Sequence, residues 1–555
     1  MTVTVGLRDP EQVMRLDRMG SFHQSRLSFM RVLLRRMQRE SWTFERPQFD
    51  VDHNGVGTAL YSAHTPERTY TLVAFAHDLP ADQRSDRVIA TAWDTTFTLH
   101  DGVPTPADVE RLRANVPLQE AGRVAGSELT LSRANRSVRL WETVVDALAA
   151  GRQPDVEAVE QVGYLMRTTA VYGSGKFGAA DRQSIVDRDE LLAPFQAEML
   201  TVYLIRTFVM DLVEHMAKHQ SPDAVALEPA LRRRFGIGNS TGLGMAPFLI
   251  THPRLINNWI LAREEGLCRV RSVESPTVSE AELFRRVVSQ SRRLVDSWHS
   301  AHEIQQAKLV ALHNDLDQLD EYLASNELTD AFAWDELVAW SESALSLEGQ
   351  ELVVSLLLEP YGHLVDELVE QMHADESRPA PIDGRMAIGE LLEVLGRSYG
   401  WAFDIDWNVD EADARAWYVS EEKLEPRLGE RHEEPIGDYE QPLQPGRDAQ
   451  RMHESLSGWA KTDTIGEFLR AHPEHRHTVR RVLLSTDRPY AEIRDNTIAS
   501  DMLPIDMLRA KLSFFGATRF DPRSDRWVRI TMFQGAPFPH ELATADSDTW
   551  MYPTA

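Results

Sequence analysis

The first hundred residues change from a helical to an alternating pattern of apolar positions. From 11 to 40 apolar residues recur at helical spacing, with arginines on the other face, and this predicts a helix. From 46 to 100 apolar and polar residues alternate, β-branched and aromatic residues are frequent, and Asn54-Gly55 stands where a turn belongs. This stretch therefore predicts an antiparallel β-meander that ends near Pro104.

From 106 to about 400 the apolar residues follow a helical period almost throughout. The predicted helices cover 106–114, 133–150, 154–170, 190–219, 254–267, 279–324, 334–346, 348–374 and 385–399. The stretch 279–324 is charged on most faces and forms either one long helix or a helical hairpin. A long exposed helix of this kind often forms the seam of a dimer.

The C-terminal part mixes both periods. Helices are predicted within 449–484, and a β-hairpin is predicted over 517–533. Polar segments at 375–383 and 429–448 have the composition of linkers.

These patterns predict an α+β fold that is predominantly helical. It comprises an N-terminal antiparallel meander, a large central helical region and a small mixed C-terminal part. The predicted domains are 1–105, 106–375 and 384–555.

Composition limits the class of protein. The 555 residues carry a formal net charge of −27, so repulsion disfavours nucleic acid and anionic membranes as partners. The single cysteine, Cys268, fits a reducing compartment. The first residues lack the pattern of a secretory signal, and no apolar run reaches the roughly 18 residues of a membrane span. We therefore expect a soluble, cytoplasmic protein.

The most unusual passage is 236–244, Gly-Ile-Gly-Asn-Ser-Thr-Gly-Leu-Gly. Glycines allow close backbone approach, and several N–H groups turned to one side can bind an anion. The predicted ligand-binding residues here are Gly238, Asn239, Ser240, Thr241 and Gly242. The passage is not a dinucleotide-binding fingerprint, because Thr241 replaces its third glycine. A tight connection between two helices explains the same glycines equally well.

A second glycine-rich segment, 173–178, surrounds Lys176. It is not a P-loop, because Ala170 stands in place of the first glycine and Phe177 in place of the Mg²⁺-binding hydroxyl residue. Only six of the 59 basic residues are lysines, so the lysines as a set are weakly enriched at places where arginine does not serve. Catalytic roles are predicted for Lys176 and Tyr172, and ligand-binding roles for Gly173, Ser174, Gly175 and Arg182. The alternative is a surface loop with a solvated lysine.

Basic and polar residues between the two glycine segments extend this prediction. Arg133, Asn135 and Arg136 are predicted to bind the ligand from a helix, because paired guanidinium groups bind carboxylates or phosphates. Arg167 and Arg206 lie in apolar surroundings, where an arginine needs a partner, so each is either in an ion pair or a ligand clamp. His252 is a candidate proton carrier, although a histidine before proline more often caps a helix.

The search for metal ligands predicts no metal site. The segment 472–477, His-Pro-Glu-His-Arg-His, lacks the spacing of a zinc-protease helix, and one helical turn cannot aim His475 and His477 at one ion. Asp404 and Asp406 lack the glycine and final glutamate of a calcium loop. The sequence identifies no cofactor.

Two functions remain open. The first is an enzyme, with lyase or transferase chemistry slightly favoured, that binds a small anionic metabolite in a pocket built from the two glycine segments. The second is a non-catalytic helical scaffold or sensor that forms a homo-oligomer through a long 279–324 helix.

Overall fold

The computed structural model describes most of the chain. The residues outside its description are 1–4, 81–82, 84–91, 116–125, 174–186, 240–251, 373–379, 408–416, 421–425, 428–435, 441–443, 495–502, 504–505, 507, 518, 522–528, 545–547, 549 and 553–555. In the described part, no helix combines the length and low polarity needed to cross a bilayer.

The N-terminal residues form three helices, whereas one helix was predicted over 11–40. They are α1 (Pro10–Val13), α2 (Leu16–Met19) and α3 (Phe29–Arg39). The single-helix prediction was wrong because the chain turns between α2 and α3, where the Ser25 hydroxyl accepts a hydrogen bond from the Leu27 N–H. Helix α3 buries an apolar stripe that includes Phe29, Leu33 and Met37.

A nine-stranded sheet forms the frame of the molecule. Its strands are β1 (Thr43–Val51), β2 (Gly57–His64), β3 (Thr69–Ala76), β4 (Thr95–Asp101), β5 (Glu128–Arg136), β6 (Tyr164–Gly173), β7 (Gly236–Asn239), β11 (Arg519–Asp521) and β12 (Arg529–Met532). Strands β1 to β6 pair antiparallel in sequence order, which confirms and extends the predicted meander. Strand β7 then pairs parallel to β6, and β12 pairs antiparallel to β7.

Helices cover both faces of this sheet. The long helix α7 (Gln196–Gln220) packs on one face, where Phe208 meets Phe97 with ring centroids 5.5 Å apart. On the other face, helix α4 (Pro106–Asn115) buries Leu112 against a small apolar cluster that includes Leu131 of β5. Each face is therefore buried, and strands β2 to β5 carry few exposed residues.

The helices predicted over 133–150 and 154–170 were each wrong in part. Residues 128–136 form β5, and helix α5 (Trp141–Ala149) begins only after that strand. Helix α6 (Val156–Val162) ends at Gly163, whose φ of 76° is the left-handed conformation that closes a helix. Strand β6 follows at once, and its run of threonine, valine and tyrosine suits a strand.

Most of the central helices lie at the predicted positions. The central helices are α8 (Pro229–Arg233), α9 (Pro253–Arg271), α10 (Val278–Asp296), α11 (Glu303–Ser325), α12 (Ala333–Ala344), α13 (Leu347–Leu357) and α14 (Gly362–Glu370). Helix α8 was not predicted, and the single helix predicted over 348–374 is wrong, because a 3₁₀ turn at Glu359–Tyr361 divides it into α13 and α14. The stretch 279–324 is a hairpin of α10 and α11, so a single long helix is excluded. Between the two helices, Trp298 is buried and stacks on His23, and the His302 side chain accepts a hydrogen bond from the Ile304 N–H to cap α11.

Residues 388–487 contain a smaller helical core of their own. Its helices are α15 (Ile388–Tyr399), α16 (Gln444–Leu456), α17 (Ile465–Ala471) and α18 (Arg476–Asp487). Leu391, Met452, Phe468 and Val479 are fully buried in a cluster separate from the main core. A three-stranded sheet of β8 (Trp417–Ser420), β9 (Pro426–Arg427) and β10 (Ile436–Glu440) lies between α15 and α16 in the sequence, so part of the predicted linker 429–448 is a strand.

The chain then returns to the main core. Helix α19 (Leu508–Phe515) places Phe514 against Trp259 of α9, with ring centroids 4.2 Å apart. The hairpin of β11 and β12 confirms the predicted C-terminal hairpin and completes the sheet. The sheet thus takes strands from all three of the predicted domain ranges.

Two clusters of buried charges tie the N-terminal helices to the central ones. In the first, the Glu351 carboxylate accepts hydrogen bonds from Arg18 (2.7 Å), Arg8 (3.4 Å) and Arg263. Glu264 accepts two hydrogen bonds of 2.8 Å from Arg8 and one of 3.1 Å from Arg263. All five side chains are buried. Burial by itself would raise the pKa of Glu351, but the three guanidinium charges hold that pKa well below its usual range.

The second cluster joins α3 to the C-terminal residues. Arg31 is completely buried and donates two hydrogen bonds of 2.7 Å to the Glu359 carboxylate. It also donates to the Asp548 carboxylate at 3.0 Å, and the Tyr552 hydroxyl donates to Glu359 at 3.1 Å. The C-terminal residues are therefore held by charges of the first long helix.

Candidate functional site

Strands β6 and β7, which precede the two glycine-rich segments in the sequence, pair in parallel. Tyr164 pairs with Gly236, Arg167 with Gly238 and Thr168 with Asn239. The carboxyl ends of neighbouring parallel strands point to the same edge of a sheet, where ligands bind in many α/β proteins. In the sequence, segment 174–186 follows β6 and segment 240–251 follows β7. The two strands run towards the same edge, and β7 ends opposite Thr168, five residues before β6 ends at Gly173.

Several predicted site residues fall within those two segments. Ser174, Gly175, Lys176, Arg182, Ser240, Thr241 and Gly242 lie outside the described residues. Tyr172 and Gly173 belong to the end of β6, where Tyr172 pairs with Leu131 of β5. Gly238 and Asn239 form the end of β7. The passage 236–239 is therefore a strand, and the glycine-rich connection begins after it.

One face of the sheet carries Arg133, Asn135 and Arg167. The prediction that Arg133 and Asn135 belong to a helix was wrong, because both lie in β5. Residues 133 and 135 share a face because strand side chains alternate, and Asn135 pairs directly with Arg167. This face points away from α7. Thr130 lies on the other face of β5, and its hydroxyl lies 2.7 Å from the hydroxyl of Thr201 in α7. The face thus presents two arginines near the end of β7, because Arg167 pairs with Gly238 and Arg133 pairs with Ala170.

The two arginines differ in exposure. Arg133 is half-buried, and its guanidinium lies 5.8 Å from the centre of the Trp93 ring. Arg167 is buried, with 8% of its surface exposed, and pairs in register with Gly238 of β7. A buried arginine that an anion can reach binds it more strongly than an exposed one, because water screens the attraction less.

Asn135 and Arg136 have structural partners. The Asn135 side chain accepts a hydrogen bond from the Asp94 N–H (2.8 Å) and donates one to the Ala92 carbonyl (3.1 Å). Arg136 donates from its backbone to the Asp94 carboxylate (2.9 Å) and from its side chain to the Gly55 carbonyl (3.4 Å). The contacts with Ala92 and Asp94 hold the residues that precede β4 against β5, and the contact with Gly55 holds the β1–β2 turn there.

The first two glycines of 236–244 are explained by packing. A Cβ atom on Gly236 would lie 2.3 Å from the Met532 carbonyl oxygen in the neighbouring strand. A Cβ on Gly238 would lie 2.6 Å from the ring of Tyr164, whose hydroxyl accepts a hydrogen bond from Arg139. These two positions therefore need glycine whether or not a ligand binds nearby.

Arg206 is in no ion pair with any residue that the structure describes. Its guanidinium is fully buried and donates to the backbone carbonyls of Phe235 (2.7 Å), Ala536 (2.9 Å) and Arg233 (3.3 Å). It also lies 3.8 Å from the centre of the Phe538 ring. Burial lowers the pKa of Arg206 to about 9. The residue joins α7 to the ends of β7 and β12, which is a structural role.

The residues that follow segment 240–251 begin helix α9. His252 occupies the N-cap position of α9 and makes no side-chain capping bond there. Further along, the Asn257 side chain accepts a hydrogen bond from the Tyr490 N–H (3.0 Å), and Asn258 accepts one from Arg488 (2.7 Å). The two asparagines therefore anchor the C-terminal segment, while His252 stays next to the glycine-rich connection.

A cleft in the smaller helical core was not predicted. It has a volume of about 380 Å³ and is lined by Phe403, Asp404, Ile405, Asp406, Trp407, Arg447, Gln450, Arg451 and Glu454. Gln450 shapes it by donating to the carbonyls of Phe403 (2.9 Å) and Ile405 (3.1 Å). Carboxylates and guanidinium groups both line it, so its net charge selects neither cations nor anions. The dense charges of 404–410 were the signal in the sequence.

Comparisons with known proteins were made by family model, by sequence and by structure. No family model, curated protein or solved structure matches this chain. The function is therefore argued from the site alone.

Proposed function

We propose that this protein is a soluble cytoplasmic enzyme that binds a small phosphate- or carboxylate-bearing metabolite at the edge of the sheet where β6 and β7 end. The observation that carries the proposal is the parallel pairing of these two strands. Both strands run towards the same edge of the sheet, and segments 174–186 and 240–251 follow them in the sequence.

The basic residues of this edge give the proposed site its preference for anions. Arg167 and Arg133 lie on one sheet face near the end of β7, and Lys176 is three residues beyond the end of β6 in the sequence. In a protein whose net charge is −27, such a local concentration of positive charge attracts an anion that the rest of the surface repels. Backbone N–H groups of the glycine segments supply further donors in this proposal.

The proposed chemistry uses the residues next to the anion. Lys176 carries the positive charge or forms an imine, while Tyr172 and His252 move protons, which suits a lyase or a transferase. Helix α9 begins at Pro253, and the positive end of its dipole favours an anion bound at the preceding connection. Association of two copies of the chain stays a prediction, now without the single long helix on which it was based.

Calorimetric titration with phosphorylated and carboxylated metabolites tests this proposal. We expect one class of anion to bind the wild type and to bind Lys176→Ala at least about tenfold more weakly, since removal of a charged hydrogen bond costs about 1.5–3 kcal/mol. The matched control is Lys218→Ala, which removes an exposed lysine at the end of α7. This variant should bind like the wild type.

A thermal-shift assay on the same three proteins gives an independent readout. A ligand at 100 times its dissociation constant stabilises the folded state by about 2.7 kcal/mol, which raises the melting temperature measurably. Equal shifts in the wild type and both variants would place the anion elsewhere on the molecule. The absence of any shift across both classes of anion would refute the proposed function.

A further inference from the structure

The connection between α17 and α18 brings two histidines and a glutamate together. Helix α17 ends at Ala471, and Pro473 begins the short 3₁₀ turn Pro473–His475 that leads into α18. Because proline cannot continue the preceding helix, the chain changes direction at His472. As a result, His472 and His475 are not on one regular helix, and the spacing argument against a metal at 472–477 does not apply to this pair.

The distances suit a single small cation. Nδ1 of His472 lies 3.2 Å from Oε1 of Glu474, and Nε2 of His475 lies 4.0 Å from the same oxygen. The three ligand atoms all fall within 4.8 Å of one another. In a tetrahedral zinc site with bonds of about 2.0–2.1 Å, neighbouring ligand atoms are about 3.3 Å apart. Binding therefore requires the partly exposed His472 ring and the exposed Glu474 side chain both to turn towards His475, by about 1.5 Å at most.

We propose that His472, Glu474 and His475 bind one divalent transition-metal ion, with Zn²⁺ as the expected occupant. Two imidazoles and one carboxylate are ligands that zinc accepts, whereas magnesium and calcium prefer oxygen ligands alone. Three protein ligands leave the fourth position of a tetrahedral zinc ion to water or to an exchangeable ligand. This arrangement is typical of catalytic rather than purely structural zinc.

The surroundings of His475 favour this assignment. Its ring is buried and stacks on Phe468, with centroids 5.7 Å apart and planes 5° from parallel. Nε2 lies 2.9 Å from the Ser455 hydroxyl oxygen, and that hydroxyl donates to the Arg451 carbonyl. Metal binding at Nε2 therefore requires that the hydrogen bond to Ser455 break and that the Ser455 oxygen turn aside, while the Ser455 hydroxyl keeps the Arg451 carbonyl as a partner.

Access to the proposed ion is open on one side. The side chain of Glu474 is 61% exposed and that of His472 is 34% exposed, whereas that of His475 is 11% exposed. His475 thus anchors the site in the core, and the other two ligands face solvent, where a substrate or an exchangeable ligand can reach the metal. The site belongs to the smaller helical core and is independent of the anion site proposed above.

This binding is measured with the full-length protein after its metal has been removed with a chelator. The protein then competes for Zn²⁺ with a second chelator whose colour reports the metal that it holds. The wild type is expected to take up one equivalent of Zn²⁺. The zinc affinities of His472→Ala and Glu474→Gln should be lower by a factor of about ten to about a hundred. The control His477→Ala removes an exposed histidine two residues beyond the cluster and should bind like the wild type. Binding of Co²⁺ should give the intense visible absorption of a tetrahedral site in the wild type and the control only.

The exposed Glu474 keeps the test independent of folding, whereas His472 is half-buried with its ring 5.1 Å from that of Phe468, so the fold of each variant is checked. Both variants should match the wild type in far-ultraviolet circular dichroism without metal, because neither side chain belongs to the buried core. Unchanged zinc affinity in both variants would overturn the assignment. A wild type that takes up no zinc at micromolar concentration would overturn it as well.

Discussion

Removal of the charge of Glu351 should destabilise the protein strongly. The Glu351→Gln substitution keeps the shape of the side chain and leaves Arg8, Arg18 and Arg263 with one buried carboxylate, Glu264, among them. At an effective dielectric constant of about 20, each close guanidinium–carboxylate pair is worth about 4 kcal/mol before desolvation. The desolvation of the carboxylate offsets much of this sum. Breaking one partner of a buried ion pair costs about 3–5 kcal/mol, which is the loss that we expect.

Urea unfolding at neutral pH, followed by tryptophan fluorescence, measures this loss as a shift of the transition midpoint. Glu342→Gln is the matched control, because Glu342 is exposed and accepts a single 3.2 Å hydrogen bond from Gln12. The control should change the free energy of unfolding by less than about 1 kcal/mol. If Glu351→Gln were no more destabilising than the control, the carboxylate would not be compensating the three arginines.

Three further outcomes follow from other buried groups. Burial opposes ionisation of Glu348, but Arg509 lowers the pKa of this carboxyl from 4.5 to about 2. At pH 7 the wild type should therefore be about 3 kcal/mol more stable to unfolding than Glu348→Gln. This difference should vanish as the pH of the unfolding measurement is lowered from 4.5 to 2. Gly238→Ala should lower the free energy of unfolding in urea by about 1–3 kcal/mol, because the added Cβ meets the Tyr164 ring. If the losses of Gly238→Ala and Tyr164→Ala simply added in the double variant, that contact would be contradicted. Arg206→Leu should cost about 2–4 kcal/mol, because three carbonyls lose their donor, and a loss below about 1 kcal/mol would argue against this role.

The sequence predicts well those strands that pair, in the sheet, with the strand next to them in the sequence. Strands β2 and β3 pair over their whole length, and their alternating, β-branched sequences contain that information locally. Strand β7 has only four residues, of which two are glycines, and its strand conformation comes from pairing with β6 and β12. No local pattern in four residues can reveal such a pairing, because it depends on segments that are distant in sequence.

The errors at β5 and β6 have a different cause. A helical period continues into both segments from the adjoining helices, so the pattern alone extends each helix too far. Gly163 was the available signal, since a glycine after a short amphipathic helix commonly ends it. The residues after it, with Thr168 and Val171, are typical of a strand.

The candidate site was predictable in its composition and not in its geometry. The sequence indicated that an arginine in apolar surroundings needs a partner and predicted a carboxylate or a ligand for Arg206, whereas the structure gives it backbone carbonyls. Asn135 and Arg136 appeared to be ligand donors because their partner, Asp94, is distant in sequence. The grouping of His472 with His475 depends on the turn at Pro473, which a test for regular helical spacing does not include.

The C-terminal hairpin has a consequence for how the protein is made. Strand β12 supplies the antiparallel partner of β7, and Asp548 supplies a carboxylate to Arg31 of α3. During synthesis, β7 therefore stays an open sheet edge, and Arg31 lacks one of its anions, until the ribosome has made more than five hundred residues. An unpaired edge of this kind is prone to pair with other chains, so the nascent protein should depend on chaperones until its last hairpin is released.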